Sequence, residues 1–306
     1  MSDHKTGASD GRLPQRKTTY AGRLTDTNRW DLFQARENDI FICTPPKCGT
    51  TWTQAICAFL IFDTPNFDGK LTNISPWVDS KLESADVCMG ALNAQGHRRF
   101  VKTHTPLDGI PYFDNGVYLI VYRDPRDVYF SIRNHLFNMV NPPDIPQLAA
   151  NPRDGFRAWI EAPFEPGVGE QRSLEAFVHH FQSYWHFRHI PNFHFLHFSN
   201  MKKDLSANFQ RIADILQIQI SPKRLDELCE AASFAEMKKS ASSFSPGSGK
   251  AIFKNDESFF SGGKNKQWGD ILGPDDLELY AKRIREFLSP AEVAWVENGD
   301  KKGRRD

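Results

Sequence analysis

Residues 40–62 read IFICTPPKCGTTWTQAICAFLIF, and no other stretch constrains the fold of this chain as strongly. Ile40–Cys43 is a short apolar run of strand-formers, and over 54–62 the apolar positions recur at helical spacing. Pro45 and Pro46 stop the strand, Gly49 lets the backbone approach a neighbour closely, and Thr50 and Thr51 stand where a helix start needs caps. A strand, a glycine-containing loop and an exposed helix N-terminus make an anion cradle of free amides and positive dipole, with Lys47 beside it as a mobile cation. The plain alternative is an ordinary strand-to-helix turn with a solvated lysine. Two hydroxyls, a lysine and a glycine within residues 47–51 favour phosphate.

Strand signals return at 99–103 (RFVKT) and at Val117–Tyr122 (VYLIVY), the latter apolar on both faces as a central parallel strand requires. A further strand is expected over 193–198. Helices are expected over 21–36, 54–62, 125–138, 173–189, 202–216, 274–288 and 290–298, and from Ser221-Pro222 onward. Prolines 142, 143, 146, 152, 163 and 166 predict a long irregular loop over 141–169, of the kind that serves as a lid, and the Ser-, Gly- and Lys-rich stretch 240–266 predicts no regular element. Strands alternating with helices imply an α/β fold: a single domain with a central parallel sheet flanked by helices, joined by right-handed crossovers. The domain is expected over 20–299, between a polar, disordered N-terminus (1–19) and a charged tail (300–306).

Lysine plus arginine equals aspartate plus glutamate at 38 each, so there is no global basic excess to bind nucleic acid, and any anion site must be local. The longest apolar runs are too short to span a bilayer and the first residues lack the apolar core of a signal peptide, so a cytoplasmic protein without an integral membrane segment is expected. Five cysteines without CxxC spacing favour reduced thiols. Cys48, in the anion loop, is either a low-pKa thiol or a small residue filling its place.

Ligands bind at the carboxyl ends of parallel strands, which directs attention to Lys47–Thr51, to Lys102 and His104, and to Arg123 and Asp124. A histidine there is suited to general-base work and a lysine to neutralising a transferring anionic group. Read alone, His104 is a strand-end histidine; its basic company changes that. Arg123 offers a planar fork suited to phosphate, with Ser131 two helical turns on, or it pairs with Asp127. The first loop is not a Walker A motif, because its lysine precedes the glycine, and there is no GxGxxG. The six histidines between 179 and 197 match no zinc spacing.

These segments resemble the PAPS-dependent sulfotransferases of the cytosolic type, with their P-loop-kinase-like fold, and the bacterial glycolipid branch in particular. PPKCGTTW is similar to the loop that binds the donor's 5′-phosphosulfate, VYRDPRDVYFS to the segment that binds its 3′-phosphate, and VKTHTPLDG to the catalytic segment; SPWVD (75–79) and QGHRRFVKTHTPLDG (95–109) are similar to the bacterial branch. The likeness runs over about 30–299. It implies that Lys47 binds the bridging oxygen of the phosphosulfate, and that Cys48, Gly49, Thr50 and Thr51 form the 5′-phosphate loop. Trp52 would stack on adenine with Phe234 on the second face, Arg123 and Ser131 would bind the 3′-phosphate, His104 would take the acceptor's proton and Lys102 would steady the sulfuryl group. PAPS is the implied co-substrate, with no metal, and sulfuryl transfer, like phosphoryl transfer, needs positioning and cations more than covalent catalysis.

The late motif departs from the family. Residues 259–268 read FFSGGKNKQW, so Ser261 and Gly262, followed by Gly263, stand where a 3′-phosphate arginine and a second basic residue are usual. A lost hydrogen bond to a charged group is worth about 1.5–3 kcal/mol, unless Lys264 or Lys266 reaches in. Phe198 stands where relatives often have a tyrosine, and Ala232 where a threonine is common. Gly269, Gly273 and Pro274 replace the dimer motif of the animal enzymes, so no dimer is inferred. The leading reading is sulfuryl transfer from PAPS to a hydroxyl of a small or lipid-like acceptor; the alternative is a nucleotide-binding homologue with weakened or lost activity. Trp77, Phe137, Met139, Phe156 and Trp159 are the candidate acceptor wall.

Overall fold

The computed structural model describes residues 13–67, 69–245, 252–260 and 263–300. Among these, β1 (Ile40–Cys43), β2 (Phe100–Thr103), β3 (Val117–Tyr122) and β4 (Phe193–His197) form an all-parallel sheet in the order β2-β1-β3-β4. Cys43 pairs with Thr103 on one side and Ile120 on the other, and Tyr122 with His197, so the strands end nearly level. The chain leaves β1 for β2 on one flank and β3 lies on the other, which makes the carboxyl ends of β1 and β3 the topological switch point.

Alternation along the strands divides the core. Ile40, Ile42, Leu119 and Val121 pack in one cluster with Ile56 and Phe59 of α1 (Thr50–Phe62), whereas Phe41, Cys43, Tyr118, Ile120 and Tyr122 pack in the other with Val128 and Phe130. Each such fully buried side chain contributes roughly 1.5–3 kcal/mol. At the amino ends of the strands Arg99 forms a buried ion pair with Asp39.

The remaining helices are α2 (Leu71–Ile74), α3 (Ala85–Ala94), α4 (Pro125–Phe137), α5 (Pro152–Glu161), α6 (Leu174–Trp185), α7 (Phe198–Lys203), α8 (Leu205–Ile215), α9 (Pro222–Ala231), α10 (Phe234–Lys239), α11 (Ala241–Phe244), α12 (Pro274–Phe287) and α13 (Pro290–Asn298). Proline sits in the first turn of α4, α5, α9, α12 and α13, and Asp124, Asn151, Ser173, Ser221 and Ser289 cap their helices with side-chain oxygens.

Several expectations are corrected. The stretch 21–36 is not an amphipathic helix: it holds a short 3-10 turn, Thr27–Leu32, capped by Asp26. The loop 141–169 contains α5, because Pro152 starts that helix behind the Asn151 cap rather than breaking it. The helix expected over 202–216 is two, α7 and α8, interrupted where the Asp204 side chain caps Ala207 N–H. Within 240–266 lie α11 and a 3-10 turn at Asp256–Phe259. Of the N-terminal stretch, residues 1–12 lie outside the described residues, while 13–19 run extended and tied down, Lys17 and Thr18 both donating to the Asp108 carbonyl.

Candidate functional site

The turn after β1 delivers its side chains through two left-handed residues. Lys47 has φ 68° and Gly49 φ 104°; a Cβ at Gly49 would also come within 3.0 Å of the Phe198 ring, so the position is held for glycine twice over. Gly49 is the N-cap of α1, leaving the first amides of that helix open toward a cleft of about 710 Å³ lined by Lys47, Gly49, Thr50, Thr51 and Trp52. The hydroxyls of Thr44 and Thr50 lie 2.6 Å apart and brace the turn. Cys48 is fully buried, and burial raises its thiol well above the usual range, so it fills a small space and supplies no thiolate.

Lys102, the third residue of β2, and His104, just beyond its end, open on the same cleft. Trp77 forms an isolated bridge with Lys102, its ring 5.2 Å from Lys102 Nζ and edge-on to His104 at 5.0 Å. His104 Nδ1 lies 2.8 Å from the Thr44 carbonyl oxygen, which accepts only, so Nδ1 carries the proton and Nε2 keeps its lone pair. Burial, with the charge of Lys102, pushes the His104 pKa down to about 3. Lys47 is pushed down to about 7 by burial, with Arg123 and Lys102 adding to it, and Lys102 to about 8 by burial, which Asp79 partly offsets. Buried Lys102 and Arg123 and half-buried Lys47 face one cleft, and none of the three forms an ion pair among the described residues, so an anion completes the site.

At the end of β3, Arg123 is 3% exposed, stacks over Phe198 at 4.3 Å and donates from Nη2 to the Lys264 carbonyl. Its Nε is buried without a hydrogen-bond partner among the described residues. Asp127 forms no ion pair with it: the carboxylate accepts the backbone N–H groups of Lys266 and Gln267, fastening the late motif to α4. Ser131 lines the cleft. Trp52 is fixed by its Nε1 donating to the Ala232 carbonyl and meets Phe198 edge-on. Phe234 and Gly263 also line the cleft, and Gly263, at φ 55°, lies so close to Phe234 that a Cβ would come within 2.7 Å of that ring. Ser261 and Gly262 lie outside the described residues. Neither the Lys264 nor the Lys266 side chain lines the cleft; Lys202 of α7 does, with Nζ 2.5 Å from the Gly263 carbonyl.

The sequence reading did not single out His135 or Asp79. His135, on α4, places Nδ1 3.3 Å from Lys47 Nζ, and burial drives its pKa well down; its alignment two turns beyond Asp127 was the available signal. Asp79 accepts from Trp30 Nε1, Thr103 Oγ1 and Thr105 Oγ1, holding the end of β2 on either side of His104. Of the candidate acceptor wall, Trp77, Met139 and Trp159 line the cleft. Phe156 instead is packed between Tyr129, Trp159 and Tyr280, and Phe137 faces solvent beneath Arg133.

Residues 37–291 match the sulfotransferase domain. A glycolipid sulfotransferase of Mycobacterium bovis is 33% identical over 92% of this chain and 95% of its own length, and human sulfotransferase 1E1 is 27% identical over 70% and 71%. A solved retinol dehydratase, in complex with androsterone and the inactive cofactor PAP, superposes with TM-score 0.71 over 86% of this chain and 84% of its own at 22% identity. A mouse sulfotransferase complexed with PAP gives 0.65 over 87% and 89% at 21%. The last two establish shared architecture; the domain match and the mycobacterial relative establish kinship, and the chain belongs to the sulfotransferase family.

Proposed function

We propose that this sulfotransferase uses PAPS as donor and transfers its sulfuryl group in line to a hydroxyl of a lipid-like acceptor, with His104 as general base. The observation that carries the reading is the free Nε2 of His104 beside Lys47 and Lys102 at the mouth of an open helix N-terminus. The residues fit the donor: the orphaned Nε of buried Arg123 awaits an anion, and Lys202 adds a cation at the Gly263 carbonyl, near where the late-motif arginine is missing. PAPS supplies, when bound, an electrophilic sulfuryl group on a phosphate leaving group.

The α1 amides and the Thr50 and Thr51 hydroxyls receive the 5′-phosphate, and Trp52 and Phe234 enclose the base. Arg123 and Ser131 hold the 3′-phosphate. His104 Nε2 accepts the acceptor's proton as the new S–O bond forms, while protonated Lys47 meets the charge developing on the oxygen that departs and Lys102 the sulfuryl oxygens. A glycolipid sulfotransferase among the relatives and the apolar walls of the cleft support a lipid-like acceptor. All five cysteines are unpaired, which suits a reducing cytoplasm, and no described helix is long and apolar enough to cross a membrane.

Calorimetric titration with 3′,5′-adenosine bisphosphate and with 5′-AMP tests the donor site. Micromolar binding that collapses without the 3′-phosphate supports the reading; equal affinity for both, or none, removes PAPS as donor and favours a degenerate nucleotide-binding homologue.

A further inference from the structure

Arg172 lines the cleft one residue before Ser173, the N-cap of α6. Its guanidinium makes no hydrogen bond or ion pair among the described residues. The neighbouring carboxylate is engaged elsewhere: the two oxygens of Glu170 accept the backbone N–H groups of Arg23 and Leu24, each at 2.9 Å. The connection that carries Arg172 is built rather than loose. The Gln171 amide accepts from Glu165 N–H and donates to the Glu165 and Val168 carbonyls, and Gly167 and Gly169 are hydrogen-bonded to Ala21.

Burial lowers the Arg172 pKa, offset in part by Glu170, and its charge in turn helps hold His135 neutral beside Lys47. Trp159, Phe164, Val168 and Phe177 wall the same cleft. A half-buried guanidinium without a protein partner among the described residues has donors left to offer an oxyanion in the cleft. The donor's phosphates and sulfuryl group have Lys47, Lys102 and Arg123 at the strand ends; Arg172 comes from the α5–α6 connection instead.

Resting on the sulfotransferase reading, we propose that Arg172 recognises an acidic group on the acceptor, and that the natural substrate is an amphiphile bearing, besides the hydroxyl that is sulfated, a carboxylate, phosphate or sulfate. The fork and the positive end of α6 both favour an oxyanion at that point.

The test compares kcat/KM for ω-hydroxy acids of increasing chain length with that for the α,ω-diols of the same lengths, using PAPS and the full chain. At the best-fitting length the acid is preferred, and Arg172→Gln lowers the acid-to-diol ratio about ten- to a hundredfold, the worth of a charge-assisted hydrogen bond, while Arg172→Lys restores part of it. Because the ratio is read within each variant, a general loss of folding leaves it unmoved. A wild-type ratio at or below unity for every length, or a ratio that Arg172→Gln does not change, overturns the assignment. Diols and acids both sulfated without preference would refute only the acidic-acceptor inference; no sulfated product from any acceptor would refute the donor reading beneath it.

Discussion

The imidazole of His104 and the main-chain carbonyl of Thr44 lie 2.8 Å apart, a contact that puts the proton on Nδ1 and leaves the lone pair on Nε2. Because a backbone carbonyl dictates the tautomer, the general base we propose has its lone pair on Nε2 before any substrate arrives. Its pKa of about 3 in the free protein keeps it neutral through the physiological range. The base form is lost only as pH falls through that low value, so kcat/KM for the donor should show no acid limb near pH 6–7. A histidine-like limb there, absent from a variant with an unrelated base, would contradict this tautomer and its burial.

The two lysines titrate in the opposite sense. Lys47 at about 7 and Lys102 at about 8 are partly deprotonated in the free protein at mildly alkaline pH, and a bound phosphate raises both. Binding of 3′,5′-adenosine bisphosphate should therefore take up protons near pH 8, and affinity should fall as pH rises through about 7 and beyond. Calorimetry in two buffers of different ionisation heat reads the uptake directly; proton release, or affinity independent of pH, would show that these amines do not face the ligand.

Trp52 and Arg123 should separate base from phosphate recognition. Trp52→Ala removes a stacking face worth about 1–3 kcal/mol and should weaken 3′,5′-adenosine bisphosphate and 5′-AMP alike. Arg123→Gln should weaken only the former, by about 1.5–3 kcal/mol. Equal effects of both variants on both ligands would mean that the orphaned Nε of Arg123 does not meet the 3′-phosphate.

Asp276 is a stability residue that acts on the cleft from outside. Its buried carboxylate accepts Arg153 Nε at 2.5 Å, Arg157 Nε at 2.7 Å and the N–H of Gly273, joining α5 to the start of α12, and α5 carries Trp159 into the wall. Asp276→Ala should cost about 1–3 kcal/mol, limited because both arginines are part-exposed and can turn to water. Urea denaturation measures it; no change in midpoint would show that the clasp contributes nothing.

Much of this architecture is legible in local pattern. β1 and β3 have the bounds their apolar runs suggest, because buried parallel strands leave little room for polar residues, and the Pro45-Pro46 to Thr51 punctuation marks the turn. α5 was hidden because its prolines, Pro152 at the first turn and Pro163 beyond the end, bracket a helix as readily as they break one. His135 could be read only as a residue two turns beyond Asp127: nothing local links it to Lys47, 88 residues away, until α4 folds beside the β1 turn. Asp79 and Arg172 are of the same kind, since the sequence does not distinguish an aspartate held by three side-chain donors from a paired one, or an arginine without an acceptor among the described residues from a paired one.

The central claim is tested most directly by following label from sulfur-labelled PAPS into a panel of hydroxyl acceptors, for the wild-type chain and for His104→Ala, with the affinity for 3′,5′-adenosine bisphosphate measured on both. The expected result is labelled sulfate ester from the wild type, a rate about 10²–10⁴ lower for the variant, and unchanged nucleotide affinity. Transfer by His104→Ala at the wild-type rate, or no transfer by the wild type to any acceptor, would contradict it.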